Sequence, residues 1–96
     1  MTYRLVITPE AEDNVVDACN YYNSVQDGLS DRFLAALLNV YISLTENPQY
    51  FSFISQKSSL RDANIPDFPY VVIFDIKDHF VTIYTVFHTS RKPKFP

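Results

Sequence analysis

Two strongly apolar runs, separated by three polar residues, dominate the C-terminal half of the chain. Residues 70–76 read YVVIFDI and residues 80–88 read FVTIYTVFH, with Lys77-Asp78-His79 between them. β-branched and aromatic residues favour strands, and the polar residues between the runs favour a hairpin turn. The first run is apolar on both faces, which is typical of a central strand covered on both sides. We therefore expect an antiparallel strand pair at the centre of a sheet.

A helical hairpin is expected before these strands. Apolar residues recur every three or four positions in residues 9–25, and again from residue 29 or 30 to residue 46, which predicts two amphipathic helices. Thr8 is a suitable N-cap, and the proline after it favours the first helical position. Gln26-Asp27-Gly28, with the only glycine of the chain, predicts the end of the first helix, and Asn47-Pro48 ends the second. The connection is too short for anything except an antiparallel helix pair.

Together with a short strand at residues 3–8 and a modest one within residues 58–65, these elements give the order β-α-α-β-β-β. The fold class is α+β, with a helical hairpin packed on one face of a mainly antiparallel four-stranded sheet. We expect residues 1–96 to form a single domain. Two helices cannot cover both faces of the apolar strand pair, so the second sheet face is expected to need a partner.

Charge and cysteine content narrow the cellular setting. A single cysteine excludes an internal disulfide, and the sequence shows neither a signal peptide nor a long uncharged apolar stretch, so we expect a cytoplasmic protein without membrane contact. The net charge of −3 divides into −5 for residues 1–50 and +2 for residues 51–96. Any surface that faces an anion is therefore expected in the C-terminal half.

Three segments, taken in order, resemble one known family. They are TPEAEDNVVDACNYY, LSDRFLAALLNVYISLTENPQYF, and LRDANIPDFPYVVIFDI with the later VFHTSRKP. Together they cover nearly the whole chain and resemble the RelE/ParE toxin superfamily, whose members are also called plasmid stabilisation proteins. The resemblance implies the same β-α-α-β-β-β fold. It also implies the toxin component of a type II toxin–antitoxin system, neutralised by a cognate antitoxin.

The superfamily contains two activities, and the sequence favours one of them. RelE-like members cut mRNA on the ribosome, whereas ParE-like members inhibit DNA gyrase and lack the nuclease residues. The Phe-Pro-Tyr and His-x-Ser-Arg-x-Pro pieces resemble the ParE side. The acidic charge balance disfavours tight binding to ribosomal RNA. Gyrase inhibition therefore ranks first and mRNA cleavage second, and a non-toxic member that only binds an antitoxin remains a third alternative.

Six residues are candidates for binding the target or the antitoxin: Arg61, Tyr70, Tyr84, His88, Arg91 and Lys92. Metal-free RNA cleavage would need a base, a proton donor and cations over the phosphate, and the catalytic candidates among the six are Arg61, His88 and Arg91. A lone histidine at a strand end is more often structural, for example as a hydrogen-bond partner of the following segment. Each of the two arginines could hold a phosphate or simply a neighbouring part of the chain. We expect both to matter more for toxicity than His88.

No cofactor or metal is expected. Two histidines and one cysteine at wide spacing do not form a ligand set, and a single glycine cannot form a glycine-rich phosphate loop. Cys19 lies on the apolar stripe of the first helix and is expected to be a small buried side chain.

Overall fold

The computed structural model describes residues 2–90, and within them it confirms the predicted element order. The sheet has the strand order β1-β4-β3-β2, with β1 parallel to β4 and the other two pairings antiparallel. Both helices pack on one face of this sheet, as predicted for an α+β fold. The elements are β1 (Arg4–Ile7), α1 (Pro9–Val25), α2 (Leu29–Glu46), a 3-10 turn (Pro48–Tyr50), β2 (Arg61–Asn64), β3 (Tyr70–Lys77) and β4 (Phe80–His88).

Thr8 begins α1 and also attaches it to the sheet. Its backbone is extended, and its hydroxyl oxygen accepts a hydrogen bond from the Ala11 N–H at 3.1 Å, which satisfies one of the free donors of the first turn. The same hydroxyl donates to the carbonyl oxygen of Tyr84 at 3.0 Å, and the Thr8 N–H donates to that of Ile83. The predicted N-cap is therefore confirmed, and it fixes the start of α1 against β4.

Gly28 has the left-handed backbone that the sequence predicts, but it begins α2 instead of closing α1. Its φ is 82°, and it is the N-cap of α2, whereas α1 already ends at Val25. The N–H of Gln26 bonds back to the carbonyl oxygen of Tyr22 and closes the first helix. The polar residues after Val25 therefore end α1, and the glycine supplies the reversal that starts α2.

The core lies between the helical hairpin and the inner face of the sheet. At one end of it four aromatic rings, those of Tyr22, Phe33, Phe68 and Tyr70, lie with centroids between 5.1 and 6.0 Å apart. Most of these contacts are edge-to-face, the arrangement in which aromatic pairs attract each other. The buried aliphatic side chains of the core include Leu37, Leu44, Val72, Val81, Ile83 and Val86.

The predicted hairpin of β3 and β4 is confirmed, and it contains a bulge that the sequence does not reveal. Lys77 pairs with Phe80 across a tight turn in which Asp78 has a φ of 57°. Farther along, Phe74 pairs with Ile83 but Ile73 pairs with Thr85, so Tyr84 is an extra residue in β4. A bulge changes which face the following side chains occupy.

Candidate functional site

Arg61, the first residue of β2, contacts the connector between α2 and the sheet. Its Nη1 atom donates to the carbonyl oxygens of Gln49 at 3.1 Å and Phe51 at 2.6 Å. Its guanidinium carbon lies 3.9 Å from the centre of the Phe53 ring, in cation–π geometry. Arg61 pairs with Phe74, whose side chain is part of the core, so it lies on the helix side of the sheet. In this position Arg61 holds the connector in place.

Tyr70 and His88 are neighbours at one end of the β3–β4 pair. Their rings meet edge to face, with centroids 5.3 Å apart. The Nδ1 atom of His88 accepts a hydrogen bond from the Ser90 N–H at 3.2 Å and lies 2.6 Å from the Ser90 hydroxyl. Because a backbone N–H can only donate, Nδ1 is the acceptor in the bond from Ser90. The structural role favoured by the sequence, a hydrogen bond to the segment after the strand, is thus present.

A polar cleft of about 300 Å³ lies beside this pair, where β1 ends and leaves the second half of β4 without a neighbouring strand. Asn14 of α1 takes the place of that strand. Its Oδ1 atom accepts hydrogen bonds from the Val86 N–H at 3.0 Å and the Thr85 hydroxyl at 2.9 Å. Asp17, Tyr21 and His88 also line the cleft. The cleft therefore combines one carboxylate with one imidazole.

Tyr84 lies on the opposite, outward face of the sheet. Its hydroxyl donates a hydrogen bond to Oδ2 of Asp75 at 2.9 Å, and 38% of its surface is exposed. Partial burial and the Asp75 carboxylate, which accepts its hydrogen bond and repels a phenolate, raise the pKa of Tyr84. The hydroxyl therefore stays protonated at neutral pH and can donate but cannot act as a base.

The predicted residues do not converge on one site within residues 2–90. Tyr70 and His88 are in contact, but Arg61 pairs four residues along β3 from Tyr70, roughly 13 Å at the usual rise per residue. Tyr84 lies on the outward face, away from the core-facing pair. The candidates Arg91 and Lys92, like the neighbouring Lys94, lie outside the described residues.

The exposed apolar surface is mainly on the helical hairpin, not on the second sheet face that the sequence indicated. The outward-facing Val71 and Ile73 of β3 are only 7% and 2% exposed. On α2, by contrast, Leu34, Leu38 and Ile42 are 42%, 58% and 47% exposed. Their four-residue spacing was visible in the sequence beside the core stripe. It makes the apolar face of α2 wider than packing on the sheet requires.

This surface borders a groove of about 390 Å³ between α1, α2 and the end of β1, which we call the hairpin groove. Among residues 2–90 its lining is almost entirely apolar, and Glu12 is the one charged residue there. The sequence analysis did not predict this groove, because its shape depends on how α1, α2 and β1 pack together. The residues that line the groove are Ile7, Glu12, Val15, Leu34, Leu37, Leu38 and Tyr41.

The hydroxyl of Tyr41 is buried in the wall of this groove without a hydrogen-bond partner among residues 2–90. Burial, together with the nearby Glu12 carboxylate, raises the pKa of Tyr41 to about 12. Buried hydroxyl groups nearly always have a partner, since an unpaired one costs about 1–3 kcal/mol. Tyr41 therefore carries an unpaired buried donor beside the groove.

Residues 2–90 give no support for a metal site, a reactive cysteine or a membrane-spanning helix. No three histidine, cysteine or acidic side chains come close enough there to hold a metal ion. Burial and the nearby Asp31 raise the pKa of the Cys19 thiol, which disfavours the reactive thiolate. None of the helices in this range has the length and apolar character that crossing a bilayer requires.

The solved structures that share this fold include two toxin–antitoxin assemblies. The chromosomal ParDE toxin–antitoxin system from P. aeruginosa superimposes with a TM-score of 0.76 at 14% identity, covering 91% of this chain and 96% of that one. The toxin–antitoxin complex RelBE2 from Mycobacterium tuberculosis gives a TM-score of 0.67 at 19% identity, covering 92% and 99%. At such identities the likeness shows the fold alone.

Sequence comparison identifies the family directly. No protein with a curated description matches the chain. Residues 5–93, however, match the family described as the ParE toxin of the type II toxin–antitoxin system parDE. The match covers nearly the whole chain, and the fold and the order of elements agree with it. The chain therefore belongs to the ParE toxin family of type II toxin–antitoxin systems.

Proposed function

We propose that this chain inhibits growth by binding DNA gyrase and is neutralised by a cognate antitoxin. The family supports a toxin, and the placement of Arg61 and Tyr84 supports a toxin that binds rather than cleaves. Arg61 is engaged with two backbone carbonyl groups, and Tyr84 is paired with a carboxylate. Neither is arranged to stabilise a phosphate, so the described residues offer no assembled nuclease site.

The charges on the outward face of the sheet also support a toxin that binds rather than cleaves. The outward positions of the sheet carry two cations, Arg4 and Lys77, and two anions, Asp62 and Asp75. Cleavage of RNA needs several preorganised cations around one phosphate. A carboxylate on that face repels the phosphate backbone, and the net charge of −3 weakens binding to the ribosome as a whole.

We propose binding surfaces for the target and the antitoxin among six residues. We keep Arg61, Tyr70, Tyr84, His88, Arg91 and Lys92 as candidates, with Tyr70 and His88 forming one contiguous patch. We further propose that residues 1–96 act as one toxin domain in the bacterial cytoplasm. Gyrase is found in that compartment, and the single cysteine suits its reducing conditions.

Expression of the chain in a bacterial host, with and without the adjacent reading frame, tests the toxin and antitoxin parts of the proposal. We expect growth arrest by the chain alone and recovery on co-expression. Purified chain should then inhibit supercoiling by purified gyrase. Growth without arrest would contradict toxicity, and arrest with full gyrase activity would contradict the target.

A translation extract programmed with a defined message separates this proposal from mRNA cleavage. Primer extension on that message should give no new ends when the chain is added. Codon-specific ends that require the ribosome would instead support the endoribonuclease alternative.

A further inference from the structure

We propose that the polar cleft between α1 and the second half of β4 binds one guanidinium group. At about 300 Å³ the cleft is at the small end of ligand pockets, a size that suits a single side chain or a small organic cation. Within residues 2–90 its lining contains one carboxylate, that of Asp17, and neither lysine nor arginine. An aromatic ring on one wall and a strand edge on the other select the shape of the cation.

Asn14 fixes the face of α1 that forms the first wall. Its Oδ1 atom accepts hydrogen bonds from the Val86 N–H and the Thr85 hydroxyl, so this side of the helix lies against β4. Asp17 and Tyr21 follow three and seven residues later, which places all three side chains on one stripe of the helix. The carboxylate and the phenol ring therefore line the same cleft.

The second wall is an unpaired edge of β4. The Val86 N–H points to Asn14 on α1, and in a strand the carbonyl group of a residue points to the same side as its N–H. β1 ends opposite Ile83, so no strand within residues 2–90 pairs with this part of the edge. The carbonyl oxygen of Val86 therefore faces the cleft as a hydrogen-bond acceptor.

A guanidinium group matches all three features at once. Its planar fork donates two parallel hydrogen bonds to a carboxylate such as that of Asp17, and a further N–H remains for the Val86 carbonyl oxygen. Its flat face stacks on an aromatic ring, and Tyr21 is 58% exposed and open to such a contact. A primary ammonium group is a compact, strongly hydrated charge without a fork or a flat face. The cleft should therefore prefer guanidinium compounds to amines.

Titration of the purified chain with N-acetyl-arginine amide, followed by backbone amide shifts in NMR spectra, tests the site. We expect a dissociation constant on the order of 1 mM and at least about threefold weaker binding of N-acetyl-lysine amide. Asp17→Asn should weaken binding of the arginine probe by about tenfold, and Tyr21→Leu by about threefold. Asp31→Asn and Tyr50→Leu make the same changes at exposed positions outside the cleft and should leave the affinity unchanged.

Three results would overturn the proposal. The first is an absence of shifts at cleft residues when the arginine probe reaches about ten times the expected constant. The second is an equal loss of affinity in Asp17→Asn and Asp31→Asn, which would mean that the probe responds only to overall charge. The third is equal affinity for the two amides, which would remove the preference for a guanidinium group. Circular dichroism spectra that match the wild type establish that each variant is folded.

A second arm identifies the source of the guanidinium group, which is either a free guanidine compound or an arginine side chain of a protein. If an arginine of the proposed target occupies the cleft, Asp17→Asn should weaken binding to purified gyrase, and excess arginine probe should compete with gyrase. Full binding of gyrase by Asp17→Asn, with the probe still bound by the wild type, would support a free guanidine compound. A wild-type chain that does not bind gyrase would contradict the proposed target, but binding of the probe alone would still support the cleft.

Discussion

Single side chains in this protein have roles that residue type alone does not reveal. Three tyrosines illustrate this: Tyr70 packs against His88, Tyr84 donates to Asp75, and the hydroxyl of Tyr41 has no acceptor within residues 2–90. All three are amphipathic rings of the same size. Their roles differ because of the local fold, which decides whether the hydroxyl meets a partner, solvent or an apolar wall.

Removal of the Tyr41 hydroxyl should stabilise the chain. Tyr41→Phe keeps the ring and relieves an unpaired buried group, so we expect the free energy of unfolding at pH 7 to rise by about 1 kcal/mol. Urea denaturation measures this. A loss of stability would mean that the hydroxyl has a partner in the folded chain.

The same variant should change how stability depends on alkaline pH. The pKa of Tyr41 is about 12 in the folded chain and about 10 when unfolded, so the unfolded state loses its proton first. The corresponding stability is complete below pH 10 and is lost as the pH rises towards 12. Between pH 9 and pH 11.5, wild-type stability should therefore fall more steeply than that of Tyr41→Phe. Parallel curves would contradict the raised pKa.

At the level of elements, α1 forms hydrogen bonds to the second half of β4, which β1 is too short to pair with. Thr8 and Asn14 both supply side-chain hydrogen bonds to β4, the first at Tyr84 and the second at Thr85 and Val86. An exposed strand edge attracts other strands. A helix side chain that satisfies this edge therefore stabilises the sheet and also limits unwanted pairing.

Asn14→Ala tests that junction. It leaves the Val86 N–H and the Thr85 hydroxyl without their acceptor, so we expect a loss of about 1–3 kcal/mol in the free energy of unfolding. Asn20→Ala, at an exposed position on the same helix, should change it by less than about 0.5 kcal/mol. Equal effects of the two substitutions in urea denaturation would show that the bonds to β4 contribute nothing.

Local patterns in the sequence were sufficient to predict most elements but not the site. Helix periodicity and the Thr8 cap give α1 within its observed bounds, and the run at residues 80–88 coincides with β4. The bulge at Tyr84 depends on how β3 and β4 pair, which is a long-range property. So does the position of Arg61, whose partners Gln49 and Phe51 belong to an irregular connector. The candidate residues scatter for this reason.

For the whole molecule, the proposed function implies that the arginine side chains contribute more to toxicity than His88, the candidate acid–base residue. We expect Arg61→Ala and Arg91→Ala to relieve growth arrest, whereas His88→Ala keeps most of it. Arg61→Ala also frees the connector, so its folded fraction must be measured alongside growth. Lys57→Ala, at an exposed site, is the control. Relief by His88→Ala alone would favour acid–base chemistry and contradict the ranking.

The parallel pairing of β1 with β4 also has a consequence for synthesis. Arg4 to Ile7 can join the sheet only when Phe80 to Ile83 are available, so β1 waits for the last strand of the described fold. Until then the helical hairpin has no β4 to cover its inner face, and long-range pairing of this kind makes folding slower than local contacts do. A nascent chain on the ribosome therefore lacks the finished sheet until β4 has been translated, and only then does the toxin acquire the surface that β1 and β4 form together.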